Sequence, residues 1–138
     1  MASIGATTAR GPERKRADVE LRLPADSAFA SVLRTTTAGL AARLDFPIDD
    51  IEDLRIAVGE ASSMVLPSAV EGSDLVCRYY MRPGEVTITV EVTSNRPEIP
   101  EEDGFAWQVL SALTTETSTS YEDGIFNVTL TMNSTVTA

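Results

Sequence analysis

The stretch "EVTITVEVT", residues 85–93, constrains this chain more than any other. Val86, Ile88, Val90 and Val92 alternate with Thr87, Thr89, Glu91 and Thr93, so an extended backbone puts an apolar row on one face and a polar row on the other. The segment before it, "LVCRYYMR", is also strand-like, and "RPGE" joins the two through a Pro83-Gly84 turn signal. A hairpin with one apolar face is predicted. Such a hairpin is stable only when further strands extend it and another layer covers that face.

The rest of the chain supplies both. In "DVELRLP", Val19, Leu21 and Leu23 alternate with charged residues, which predicts a half-buried strand. From an Asp26 cap, Phe29, Leu33, Thr36, Leu40 and Leu44 recur at helical spacing, predicting a first helix over about 26–44. Pro47 opens a second helix with Asp49, Asp50, Glu52 and Asp53 in its first turns, where negative charge suits the helix dipole. Its core face is Ile51, Leu54, Val58, Ala61 and Val65, and Pro67 ends it. Residues 94–104, "SNRPEIPEEDG", read as a loop. "GFAWQVLSALTT" reads as a third helix with Phe105, Val109, Ala112 and Leu113 on one face and Trp107 to the side. After "YEDG", a last strand "IFNVTLTM" alternates through Phe126, Val128, Leu130 and Met132; a further strand just before it is left open. The expected fold is α+β, a two-layer α/β sandwich whose mostly antiparallel mixed sheet is covered on one face by three helices.

Composition narrows the function. With 138 residues and 43% hydrophobic content the chain suits one domain, expected over residues 17–133 between a disordered basic tail, 1–16, and a short tail, 134–138. No apolar run of signal-peptide or membrane-span length is present, so a cytoplasmic protein is expected. Histidine is absent, which removes Ser-His-Asp triads, Cys-His pairs and histidine-bound zinc. Cys77 is the sole cysteine, too few for a disulfide framework or a cysteine metal cluster, and no metal site is expected. The net charge is −10; residues 1–16 hold four bases and one acid, leaving −13 on the remainder. An acidic body repels phosphate backbones, so direct nucleic-acid binding is not expected and a basic protein is the more natural partner. On the first helix, Ala30, Ser31, Ala38 and Ala41 surround Arg34, a long cation on a patch of small side chains that another protein could approach closely.

The order of elements, with Glu60 in the second helix, resembles the anti-sigma factor kinases of the GHKL (histidine-kinase-like) ATPase superfamily. "DLRIAVGEAS" is similar to the family's stretch around its general-base glutamate, "FASVLRTTTAGLAARLD" to its first helix and "GFAWQVLSALTT" to the helix after its nucleotide lid. The resemblance runs over residues 17–133 and implies a histidine-kinase-like ATPase domain. It also implies four parts for ATP chemistry, each of which is altered. Met64, a soft thioether, stands where an asparagine would hold Mg²⁺. "VTSNRP", with Asn95, replaces an Asp-x-Gly that would read adenine. Of a glycine-rich phosphate lid only Gly104 remains, beside Glu101, Glu102 and Asp103. A final Gly-Thr survives only as Gly124 before Ile125.

The resemblance therefore implies an anti-sigma factor that sequesters an alternative RNA polymerase sigma factor and is released by a STAS-type anti-anti-sigma factor. This partner switching would serve transcription regulation, as in stress responses. Arg34 aligns with a family arginine used in both contacts. No cofactor is expected, and Glu60 is read as a vestigial general-base position. The alternative is an ATP- and Mg²⁺-dependent serine/threonine protein kinase that phosphorylates the STAS antagonist through Glu60. Family members often dimerise; the sequence leaves monomer and homodimer both open.

Overall fold

The computed structural model describes residues 16–135. Strand β1 (Val19–Pro24) leads into a 3-10 turn at Ser27–Phe29, helix α1 (Ala30–Arg43) and helix α2 (Ile48–Val65). The hairpin β2 (Asp74–Arg82) and β3 (Glu85–Thr93) follows, then helix α3 (Phe105–Leu113) and a second hairpin, β4 (Glu116–Glu122) and β5 (Ile125–Asn133). The sheet order is β1-β2-β3-β5-β4, and every neighbouring pair is antiparallel. Thus the sheet is α+β as expected, and its described pairings contain no parallel one. The strand left open before "IFNVTLTM" is real: β4 is the edge partner of β5.

Register explains the two faces. Leu21, Cys77, Val90, Val128 and Thr119 stand opposite one another in turn across the sheet, and this row faces the helices. The alternate row runs Glu20, Arg78, Thr89, Thr129 and Ser118 and faces away. Leu54, Val58, Ala61 and Val65 of α2 are fully buried over the apolar row with Ile88, Val90, Val128 and Leu130. Removing this much apolar surface from water is the main force holding the layers together. Asp26 accepts the Ala28 amide at 2.9 Å and so caps the turn that leads into α1.

Two expectations about helix faces change. In α1 the buried side chains are Leu33, Thr37 and Ala41, with Phe29, Leu40 and Leu44 half-buried beside them. Thr37, not Thr36, enters the core, because its hydroxyl donates to the Leu33 carbonyl at 2.9 Å and receives the Tyr79 hydroxyl at 2.8 Å. In α3 the buried residue is Leu110, with Trp107 and Leu113 packed against the core, while Phe105 is 84% exposed. This helix is apolar nearly all round, so period alone does not select its inward face. The tertiary packing of Leu110, Trp107 and Leu113 selects it, and on the outward side Gln108 Nε2 donates to the Glu102 carbonyl at 2.9 Å.

At the C-terminal end, the domain runs past residue 133. Thr135 donates its amide and hydroxyl to Asp50 Oδ2 at 2.9 and 3.0 Å, joining the exit of β5 to the first turn of α2. The expected basic tail falls almost wholly on residues 1–15, outside the described residues.

Candidate functional site

The sequence-predicted residues lie on the two flanks of α2. α1 and α2 pack closely, and α3 packs on α2 as well. At 100° per residue, Gly59 lies on the α1 flank of α2, whereas Glu60 and Met64 turn about 100° and 140° further round, away from α1.

On the α1 flank, Arg34 is half-buried and lies against α2 at Gly59. A Cβ at Gly59 would stand 3.4 Å from Arg34 Nη1, 3.6 Å from its Cδ and 4.0 Å from its Cγ. Arg22, Arg55, Arg78 and Arg82 each pair with a carboxylate. Arg34 forms no ion pair or hydrogen bond among the described residues. Of the small residues expected around it, Ser31 is exposed and Ala30 and Ala38 are half-buried, while Ala41 is not on this surface at all but buried in the core against the second layer. The patch is therefore narrower than the sequence implies, and α2 supplies its other wall. Ile56, one turn before Gly59, is 48% exposed.

On the other flank, Glu60 is half-buried and has no hydrogen-bond or ion-pair partner among the described residues. Met64, where a hard oxygen ligand would be needed for magnesium, packs against the core. Ile56, four residues before Glu60, is 48% exposed.

The other three positions tied to nucleotide handling have structural partners of their own. Ser94, just before Asn95, is fully buried: its amide donates to the Gly124 carbonyl at 2.8 Å and its carbonyl accepts the Tyr121 hydroxyl at 2.8 Å. Asn95 itself is exposed. The loop beyond is fastened to the end of α2, where the Glu98 amide donates to Ser68 Oγ at 2.9 Å. Gly104 has ordinary angles, φ −75 and ψ 156, but a Cβ there would come within 3.1 Å of the Glu101 carbonyl oxygen. A tight turn of the loop accounts for this glycine. Asp123 and Gly124 both have positive φ, 53° and 79°, as the two central residues of a type I′ hairpin turn require.

Hollows of about 340 and 720 Å³ lie on the uncovered sheet face, across the sheet from Glu60. Their walls include Arg78, which binds Glu91 at 2.9 Å and Glu20 at 3.2 Å. Burial works against the Arg78 charge, and the Glu91 and Glu20 contacts outweigh it, holding the pKa above its usual value. Glu20 in turn meets Arg22 at 3.3 Å, and Arg22 meets Asp74 at 3.4 Å. This chain of paired charges was not anticipated from sequence, because it needs the strand register.

The fold is shared with known proteins. A crystal structure of the RsbU and RsbW domains of Rv1364c from Mycobacterium tuberculosis superposes with a TM-score of 0.68 at 18% identity, covering 87% of this chain and 34% of that one. Sequence similarity reaches further. The serine-protein kinase RsbW of Bacillus cereus (strain B4264) is 34% identical over 85 residues, 62% of this chain and 48% of the relative. RsbW of Bacillus thuringiensis (strain Al Hakam) is 35% identical over 81 residues, 59% of this chain and 45% of the relative. Over this region the chain is similar to RsbW. The matched region spans about half the length of these RsbW proteins. No protein-family model matches the chain. Among the described residues, no helix of this RsbW-like chain is long and apolar enough to cross a membrane.

Proposed function

We propose that the protein is an anti-sigma factor that holds an alternative sigma factor on its helical layer and is released by a STAS-type antagonist, without ATP binding or kinase activity. The observation that carries this reading is Arg34: a half-buried cation with no carboxylate of its own among the described residues, in a chain of 21 acidic residues. Desolvating an arginine without a partner is unfavourable, and a partner's carboxylate would recover that loss on docking. The acidic body adds long-range attraction for the basic surfaces of a DNA-binding protein. Against nucleotide chemistry stand Met64, packed against the core where an oxygen ligand would be needed, and the turn roles of Gly104 and Gly124.

A second reading, an ATP-dependent serine/threonine kinase acting on the STAS antagonist, is favoured by one observation. Glu60 is half-buried and unpaired among the described residues at the position the resemblance gives to a general base, in a chain similar to proteins named serine-protein kinases.

Calorimetric titration separates the two. The expected result with Mg·ATP or ADP at millimolar concentration is no heat beyond dilution. In a parallel transcription assay, each alternative sigma subunit of the host is added singly to core polymerase. One of them should be silenced by a stoichiometric amount of the protein. Single-site nucleotide heat would overturn the reading in favour of the kinase, and transcription unaffected for every sigma subunit would overturn sequestration.

A further inference from the structure

Glycine is the least favourable residue short of proline in a helix interior, and α2 carries one at position 59, in the middle of its 18 residues. The surroundings limit the size of the side chain that can stand there. The three nearest heavy atoms to a Cβ placed at Gly59 are all from Arg34. No other side chain or backbone atom comes closer than these, so the packing of α2 on the sheet does not require glycine here. Gly39 of α1 offers the contrast, with nothing within 4 Å of its missing Cβ.

We propose that Gly59 is a positioning residue for partner binding: its bare backbone is the seat on which Arg34 lies flat across α2, holding the guanidinium at the α1–α2 seam. An arginine free to swing would lose side-chain entropy on docking; one already laid along a helix loses less. The seat also makes the docking surface a joint product of α1 and α2. It has Ser31 and Arg34 on one side and the exposed Ile56 on the other, and so suits a partner segment presenting a carboxylate beside an apolar side chain. A methyl group at 59 would meet Arg34 at ordinary contact distance, so alanine preserves the arrangement; a longer side chain does not.

This inference rests on the sigma-binding reading, and its test keeps the two apart. The variants are Gly59→Ala, Gly59→Gln, Arg34→Ala and the double variant Gly59→Gln with Arg34→Ala. The partner is the purified sigma subunit silenced in the transcription assay, and thermal melting serves as a check on folding. Gly59→Ala should bind within about 2-fold of wild type and Gly59→Gln about 10-fold more weakly. In the Arg34→Ala background, Gly59→Gln should have no further effect, the signature of a residue that acts through another. Equal binding by wild type and Gly59→Gln, or an undiminished loss in the Arg34→Ala background, would overturn the proposal. The NMR signal of the Arg34 Nε–H reads the seat without any partner: it should shift in Gly59→Gln and stay near its wild-type position in Gly59→Ala. An unmoved signal in Gly59→Gln overturns the seat even if no sigma subunit binds, whereas a shifted signal with no sigma binding counts only against the functional reading.

Discussion

At the scale of single residues, burial decides which side chains are structural and which are available. Tyr79 and Thr37 are both buried and bonded to each other, so Thr37→Val leaves the Tyr79 hydroxyl without its partner. A loss of about 1–3 kcal/mol is expected in urea denaturation. Burial also pushes the Cys77 thiol up to about 12, with the nearby Glu91 adding to the shift and Arg78 opposing it. Iodoacetamide at neutral pH should leave the native protein unlabelled and label it once unfolded. Burial raises Tyr79 as well, although its bond to Thr37 works the other way. Both groups hold their proton more tightly folded than unfolded. The unfolded chain therefore releases its protons first, and stability should decline as pH rises from about 8.5, where a free thiol titrates. Arg34→Glu should leave the melting temperature near wild type while weakening sigma binding by about 2 kcal/mol or more. The sequence marks Arg34 as a cation among small residues, and the structure places it half-buried against Gly59. Thr37 was not legible in the sequence, because Thr35, Thr36 and Thr37 follow one another and only the Tyr79 contact tells them apart.

Among the elements, those with one clean period were legible and those without were not. β3 and β5 alternate strictly and lie where the alternation places them, and the core residues of α2 follow its 3.6-residue period. α3 was assigned its wrong face because nearly all its residues are apolar, leaving tertiary packing to fix its rotation. β4, "ETSTSYE", was left open because an edge strand with polar residues on both faces carries no hydrophobic signal. The role of Gly59 was invisible, since it depends on where α1 crosses α2. The β4–β5 turn gives a test at this scale. Gly124 has φ 79°, so Gly124→Val should destabilise the protein by roughly 1–2 kcal/mol in urea denaturation.

For the whole molecule, charge and connectivity matter most. The net charge of −10 predicts that association with a basic partner slows steeply as salt rises, while dissociation changes little; stopped-flow mixing at low and high ionic strength measures both. Charge was legible from composition, but the order of the strands was not, because helical connections leave several antiparallel arrangements open. That order has a consequence for synthesis. β5 lies between β3 and β4, although it is made after both, and Asp50 of α2 receives its hydrogen bonds from Thr135 beyond β5. A growing chain that has completed three helices and four strands still lacks the strand that joins β4 to the rest of the sheet. This protein therefore reaches its native state only after β5 has left the ribosome, and until then its apolar surfaces are open to chaperones.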